Sequence, residues 1–125
     1  MKNRNWLKIF LCLWLIGSFI SFVLQLFFSE FTASFSLFPH STYWQREIAL
    51  WNAGIIIAIV YALKNGKREI LQFVSVVLVA LSFVLGANNI VIQLITNKSA
   101  PINLLAAIAN CAAVILGIYT LHRKY

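Results

Sequence analysis

The chain has 125 residues, of which 62% are hydrophobic and only three are acidic, while ten are lysine or arginine. So few charged side chains cannot cover a water-soluble domain of this size, which excludes a soluble enzyme. The formal net charge of +7 comes mostly from basic residues at the ends of apolar stretches. Such a pattern reports membrane orientation, so we expect no nucleic-acid partner.

Four apolar stretches fill almost the whole chain, at about residues 6–28, 44–63, 70–95 and 102–121. Each is close to the roughly 20 residues that a helix needs to cross the hydrocarbon core. No stretch alternates in the way that a lipid-facing barrel strand does. We therefore predict an all-α membrane protein, a four-transmembrane-helix antiparallel bundle, in a single domain over 1–125 with an outer loop at about 29–43.

Lysine and arginine are distributed unevenly between the two sides of this predicted bundle. One side carries Lys2, Arg4, Lys8, Lys64, Lys67, Arg68, Arg123 and Lys124. The other side carries only Arg46 and Lys98. By the positive-inside rule both termini are then cytoplasmic, and the chain is a multi-pass protein of the inner (plasma) membrane. Its first partner is the lipid bilayer, whose anionic headgroups attract these basic residues.

Two local signals mark helix ends. Asn65-Gly66 is typical of a helix C-terminus, and Lys67-Arg68 then leads into the third span through a tight turn. Thr42 and Gln45 have capping-box spacing, which predicts that the second span starts near residue 43.

Polar and small side chains recur at helical spacing within every span, so each set shares one face of its helix. The sets are Trp14, Ser18, Ser21 and Gln25; Glu47, Gly54, Ala58 and Tyr61; Ser75, Ser82, Gly86, Asn89 and Gln93; and Asn103, Ala107, Asn110 and Gly117. We expect all four stripes to face the bundle centre. Close helix packing and interhelical hydrogen bonds explain such stripes without any ligand.

Depth adds a functional hypothesis, because several polar residues fall toward the outer ends of their helices. The candidate ligand-binding residues are Gln25, Glu47, Asn52, Asn89, Gln93 and Asn103. We expect them to converge on one outward-facing pocket. Among them Glu47 is the one acidic residue within a span and away from the cytoplasmic edge, which makes it a functional candidate by default. The alternative is a surface acid that stabilises the helix start and pairs with Arg46.

Short motifs from residue 44 onward resemble a family of small four-helix bacterial membrane proteins, DUF6790, which is DoxX-like in general appearance. The matching segments are Trp44-Gln45-Arg46-Glu47-Ile48, Asn52-Ala53-Gly54, Gly86-Ala87-Asn88-Asn89, Gln93, Pro101 and Asn103. The resemblance implies a four-helix fold and no assigned reaction. Where that family has a histidine late in the third helix, this chain has Asn88 or Asn89. Without that histidine the chain lacks a good proton shuttle, which weakens the case for catalysis.

Three classes of function remain open. The first is a module that binds or transports a small amphiphile or a cation in the outward pocket. The second is an accessory subunit or assembly factor that docks onto a larger membrane complex. The chain could also form a homo-oligomer. The third is a membrane enzyme, the least favoured because no nucleophile with a base, no metal-ligand set and no cofactor motif is present. We accordingly predict no catalytic residue, no metal ligand and no cofactor.

Overall fold

The computed structural model describes the backbone of residues 2–123 and the side chains of residues 4–123. Over these residues the chain is all helical and has no strand, which confirms the predicted class. The helices are α1 (Lys2–Phe27), α2 (Ser29–Ser34), α3 (Thr42–Asn65), α4 (Arg68–Thr96) and α5 (Pro101–His122). Of the residues that predict orientation, Lys124 and the side chain of Lys2 lie outside the described part.

Four of the helices, α1, α3, α4 and α5, are long and apolar enough to cross a membrane. Even the shortest, α5, has 22 residues. At about 1.5 Å per residue it is roughly 33 Å long, against a hydrocarbon core of about 30 Å. By the length and composition of its helices, the chain is a multi-pass membrane protein.

Glycine and asparagine end two of the long helices, as left-handed residues commonly do. Gly66 has a φ of 68° and donates its N–H to the carbonyl of Ala62, so the predicted C-terminal cap of α3 is confirmed. Asn97, with a φ of 48°, ends α4 in the same way. The predicted capping box at the start of α3 is wrong, because Ser41 is the N-cap and accepts a hydrogen bond from the Trp44 N–H.

The predicted outer loop contains a short helix that the sequence analysis missed. This helix, α2, follows α1 after a break at Phe28 and buries Thr32. The Thr32 hydroxyl donates to the carbonyls of Leu24, at 3.1 Å, and Phe28, at 2.8 Å. Those bonds tie α2 to the last turn of α1, so only residues 35–41 form an irregular segment. We call this segment the outer loop from here on.

The helices pack chiefly as two pairs, α1 with α3 and α4 with α5, and α1 also contacts α4 and α5. The buried apolar cluster lies at the end of the bundle opposite the outer loop. Its members are Leu7, Phe10, Leu11, Ile59, Ala62, Leu71 and Leu78. At the other end, which we call the loop end, the buried residues are largely polar, and this is where the candidate site is found.

Burial confirms three of the four predicted stripes and contradicts the fourth. The buried polar and small positions of α1, α4 and α5 include Ser18, Ser75, Ser82, Gly86, Asn89, Asn103, Ala107 and Gly117. On α3 the prediction is wrong, since the side that carries Glu47, Gly54, Ala58 and Tyr61 is exposed. The residues that α3 buries are Gln45, Ala49, Ile59 and Ala62. The helix is therefore rotated away from the predicted orientation.

Candidate ligand-binding site

Asn103 organises the polar cluster between α4, α5 and the outer loop. It is fully buried, and its Nδ2 donates to Asn89 Oδ1 at 3.1 Å. Its own Oδ1 accepts from the Leu37 N–H at 2.7 Å and from the Ser36 hydroxyl at 3.3 Å. The Ile102 N–H also donates to the Phe35 carbonyl, so the outer loop is held against the first turn of α5.

Neighbouring amides in this cluster are also engaged within the protein. Asn89 Nδ2 donates to the Leu85 carbonyl and Gln93 Nε2 donates to the Asn89 carbonyl. Gln93 Oε1 in turn accepts from the Ser99 hydroxyl at 3.0 Å. Because hydrogen bonds within the chain already use these groups, this cluster fastens the outer loop and offers little to a ligand.

A second group of polar residues lies between α1 and α3, and we call it the α1–α3 seam. Asn52 Nδ2 donates to Ser21 Oγ at 3.2 Å, and Gln45 Nε2 donates to the Ser29 carbonyl at 2.9 Å. Gln25 follows Ser21 by four residues and precedes Ser29 by four. It therefore shares a face of α1 with Ser21 and lies between the two contacts along the chain. The seam is thus built from Ser21, Gln25, Gln45 and Asn52, and Ala49, which lies between Gln45 and Asn52 on α3, is fully buried.

Two amide oxygens in the seam have no hydrogen-bond donor among the described residues. Gln25 Oε1 and Gln45 Oε1 are both buried and unpaired. Gln45 as a whole is 7% exposed. A buried acceptor without a donor costs about 1 to 3 kcal/mol. Both oxygens are therefore acceptors that no described group of the chain satisfies.

Deeper in the bundle, Ser18 Oγ and Ser75 Oγ are also buried without a partner. An unpaired serine hydroxyl is weaker evidence for a ligand than an unpaired glutamine oxygen, because the hydroxyl can rotate and donate to a carbonyl one turn earlier in its own helix. The Gln45 oxygen has no such alternative, since it only accepts and the Nε2 bond to the Ser29 carbonyl fixes the amide.

An open cleft of about 450 Å³ lies beside the outer end of the seam. It is lined by Glu30, Ala33, Ser34, Phe38, Pro39 and His40. His40 Nε2 is 3.4 Å from Ser29 Oγ, and the carbonyl of the same Ser29 accepts from Gln45. Ser29 therefore joins the cleft to the seam, and the cleft brings one carboxylate and one imidazole to that junction.

Glu47 lies apart from both polar groups. Its side chain is exposed on the outer face of α3, in a shallow groove with Leu50, Trp51, Gly54, Ile55 and Ala58. Its carboxylate makes no hydrogen bond or ion pair with another described residue. The alternative of a Glu47–Arg46 ion pair is therefore not seen either.

The predicted site residues accordingly fall into three places. Hydrogen bonds bring Asn89, Gln93 and Asn103 together, while Gln25 and Asn52 belong to the seam. Glu47 faces outward alone. Gln45 was absent from the predicted set because its spacing from Thr42 predicts a capping box. Its seven-residue spacing from Asn52 was the available signal, since residues seven apart share a helix face.

Comparison of the chain with protein-family models, curated proteins and solved structures gives no significant match. The resemblance to DUF6790 therefore stays a prediction that rests on short motifs alone.

Proposed function

We propose that this membrane protein binds a small amphiphile from the extracytoplasmic side, in the α1–α3 seam. The observation that carries the proposal is the pair of buried amide oxygens, Gln25 Oε1 and Gln45 Oε1, that lack a donor. The proposed site keeps fewer residues than the predicted pocket, because the amides of the α4–α5 cluster already make hydrogen bonds within the protein.

In this proposal the four long helices form an antiparallel bundle in the plasma membrane with both termini in the cytoplasm. The positive-inside rule supports that orientation, because lysines and arginines cluster at the start of α1 and α4 and at the end of α3 and α5. The pairing of Asn103 with Asn89 and the close approach of Gly86 to Asn110 support opposite directions for α4 and α5. The loop end is then extracytoplasmic, so the cleft opens to the outer leaflet.

Each part of the site has a separate role. Gln25 and Gln45 accept hydrogen bonds from the polar group of the ligand, and the Asn52–Ser21 bond closes the inner end of the seam. Phe38 lines the cleft and is exposed, so an apolar tail has an aromatic surface to contact. A molecule with a donor group at one end and a hydrocarbon chain at the other fits both features.

The test is extraction of the protein directly from its membrane into lipid nanodiscs, followed by mass spectrometry of every small molecule that copurifies. Wild type is compared with Gln25→Leu and Gln45→Leu. Gln72→Leu is the matched control, since it makes the same chemical change on α4 near the opposite end of the bundle. A compound retained by wild type and by Gln72→Leu but lost from both seam variants supports the proposal. An identical small-molecule content in all four samples refutes it.

A second function is favoured by a different observation, the exposed carboxylate of Glu47. Beside it Gly54 leaves open space on the face of α3, since apart from the local helix backbone no atom of the described residues lies within 4 Å of where a Cβ would be. An accessory subunit docked there would place a basic or hydrogen-bond-donating side chain opposite Glu47, because an acid within a span needs a partner. Glu47→Gln and Gly54→Leu would then each release a membrane protein that wild type retains in stoichiometric amount, with no change in bound small molecules. Retention of that protein by both variants would exclude this surface.

A further inference from the structure

We infer that the polar group recognised in the α1–α3 seam is a primary ammonium, either of a soluble amine or of an ethanolamine lipid headgroup. The inference rests on the proposed function and names the chemistry that the same site selects. It follows from which atoms of the seam are free, from the charge beside it and from its depth.

The free atoms of the seam are acceptors. The orientation of the Gln45 amide is set by its neighbour, because Nε2 donates to the Ser29 carbonyl at 2.9 Å. The reversed amide would place its oxygen against that carbonyl oxygen, so Oε1 is the atom left free. Gln25 Oε1 is also buried and unpaired, and no hydrogen bond to a described residue holds the Gln25 amide, so it can turn its oxygen toward a donor. A ligand that only accepts hydrogen bonds gains nothing from Gln45 Oε1, whereas an ammonium group has three donors, enough for both glutamines.

Charge beside the seam also favours a cation. Glu30 lines the cleft that Ser29 joins to Gln45, and none of the lysines and arginines among the described residues lines that cleft. A carboxylate at the mouth raises the local concentration of cations. Arg46 follows Gln45 in the chain and is exposed, so a zwitterionic ligand finds a cation for its phosphate nearby. The arrangement matches an ammonium directed into the seam with a phosphate outside it.

The depth of the seam matches a headgroup. Gln45 lies in the first turn of α3, immediately after Tyr43 and Trp44, which are both exposed. Exposed tyrosine and tryptophan at a helix end mark the level of the lipid headgroups. An outer-leaflet lipid therefore presents its amine at the height of the two free oxygens.

The experiment exploits the difference between ethanolamine and choline, since choline carries the same positive charge without an N–H. Purified protein is reconstituted in nanodiscs of phosphatidylcholine alone or with added phosphatidylethanolamine of the same acyl chains. In parallel, phosphatidylcholine nanodiscs receive free ethanolamine or free choline at equal ionic strength. The readouts are the thermal unfolding midpoint and the lipids retained in native mass spectrometry.

Wild type is expected to unfold at a higher temperature with an ethanolamine compound than with its choline counterpart. Gln25→Leu and Gln45→Leu should lose that difference, because removal of one hydrogen bond to a charged donor weakens binding by roughly tenfold to a hundredfold. Gln72→Leu should keep it. If Gln45→Leu fails to fold, Gln25→Leu decides, since its side-chain oxygen has no hydrogen bond within the described chain to lose.

A rise with phosphatidylethanolamine but not with free ethanolamine identifies the lipid headgroup, and a rise with free ethanolamine supports the soluble amine. Equal midpoints and equal lipid retention for ethanolamine and choline forms overturn the ammonium inference. A copurifying amphiphile that the seam variants still lose would in that case leave the proposed function standing. Absence of both effects would overturn the two proposals together.

Discussion

Replacement of Asn103 by leucine should release Ser36 and Leu37 of the outer loop while leaving the helices and the Ile102–Phe35 hydrogen bond in place. Asn103 makes one bond to α4, through Asn89, and two to the outer loop, through Leu37 and Ser36. Each is worth about 0.5 to 1.5 kcal/mol in net terms, and the average in membranes is about 0.6 kcal/mol. The variant should therefore lose roughly 2 to 4 kcal/mol of unfolding free energy, because Leu37 N–H and Asn89 Oδ1 are left without partners.

The control for this change lies two turns further along the same helix. Asn110 is partly buried, but its Nδ2 donates only to the Ala106 carbonyl of its own helix, at 2.8 Å. Asn110→Leu should cost less than about 1 kcal/mol, since no hydrogen bond between segments is lost. The two variants make the same chemical change in the same helix. They differ in the hydrogen bonds that are lost, which join separate segments at Asn103 and stay within α5 at Asn110.

Two measurements test this reasoning. Denaturant titration in detergent gives the unfolding free energy of each variant, and hydrogen exchange reports the backbone N–H of Leu37. We expect a large loss of stability and fast exchange at Leu37 in Asn103→Leu, with neither change in Asn110→Leu. Equal losses in the two variants, or unchanged protection at Leu37, would show that the amide network does not hold the outer loop.

Three further predictions concern packing, capping and the exposed acid. Gly117→Ala should destabilise the bundle by about 1 to 3 kcal/mol, because its Cβ would clash with Val79. Gly17→Ala should be neutral or slightly stabilising in the same denaturant titration, because a Cβ there meets open space. Ser41→Ala should cost about 0.5 to 1 kcal/mol through loss of the α3 cap, measured as a lower unfolding midpoint, and no shift would contradict that role. Glu47→Gln should leave the unfolding free energy unchanged, because the carboxylate has no partner within the described chain, and a marked loss would show a contact that the structure lacks.

Hydrophobic periodicity was sufficient to predict the four long helices and the inward faces of three of them. The stripe on α4 is the clearest case, since Ser75, Ser82, Gly86 and Asn89 are all buried as their spacing predicts. It could not predict α2, because six residues contain less than two helical turns and carry no periodic signal. That helix depends on Thr32, whose hydroxyl reaches back to carbonyls at the end of α1.

The orientation of α3 shows why charge was a poor guide to the buried side of that helix. At about 100° per residue, Gln45 and Asn52 lie about 20° from alignment on the helix, whereas Glu47 and Asn52 are about 140° apart. The sequence analysis gave priority to Glu47 because an acid within a span is rare. Near a helix end, however, a carboxylate can stay at the surface and reach the headgroups. An amide has no charge to be solvated there, so Gln45 gains more from a partner inside the protein. The hydrogen bond from Asn52 to Ser21 holds that side of α3 against α1. Gln45 lies on the same side of α3 and so belongs to the α1–α3 seam.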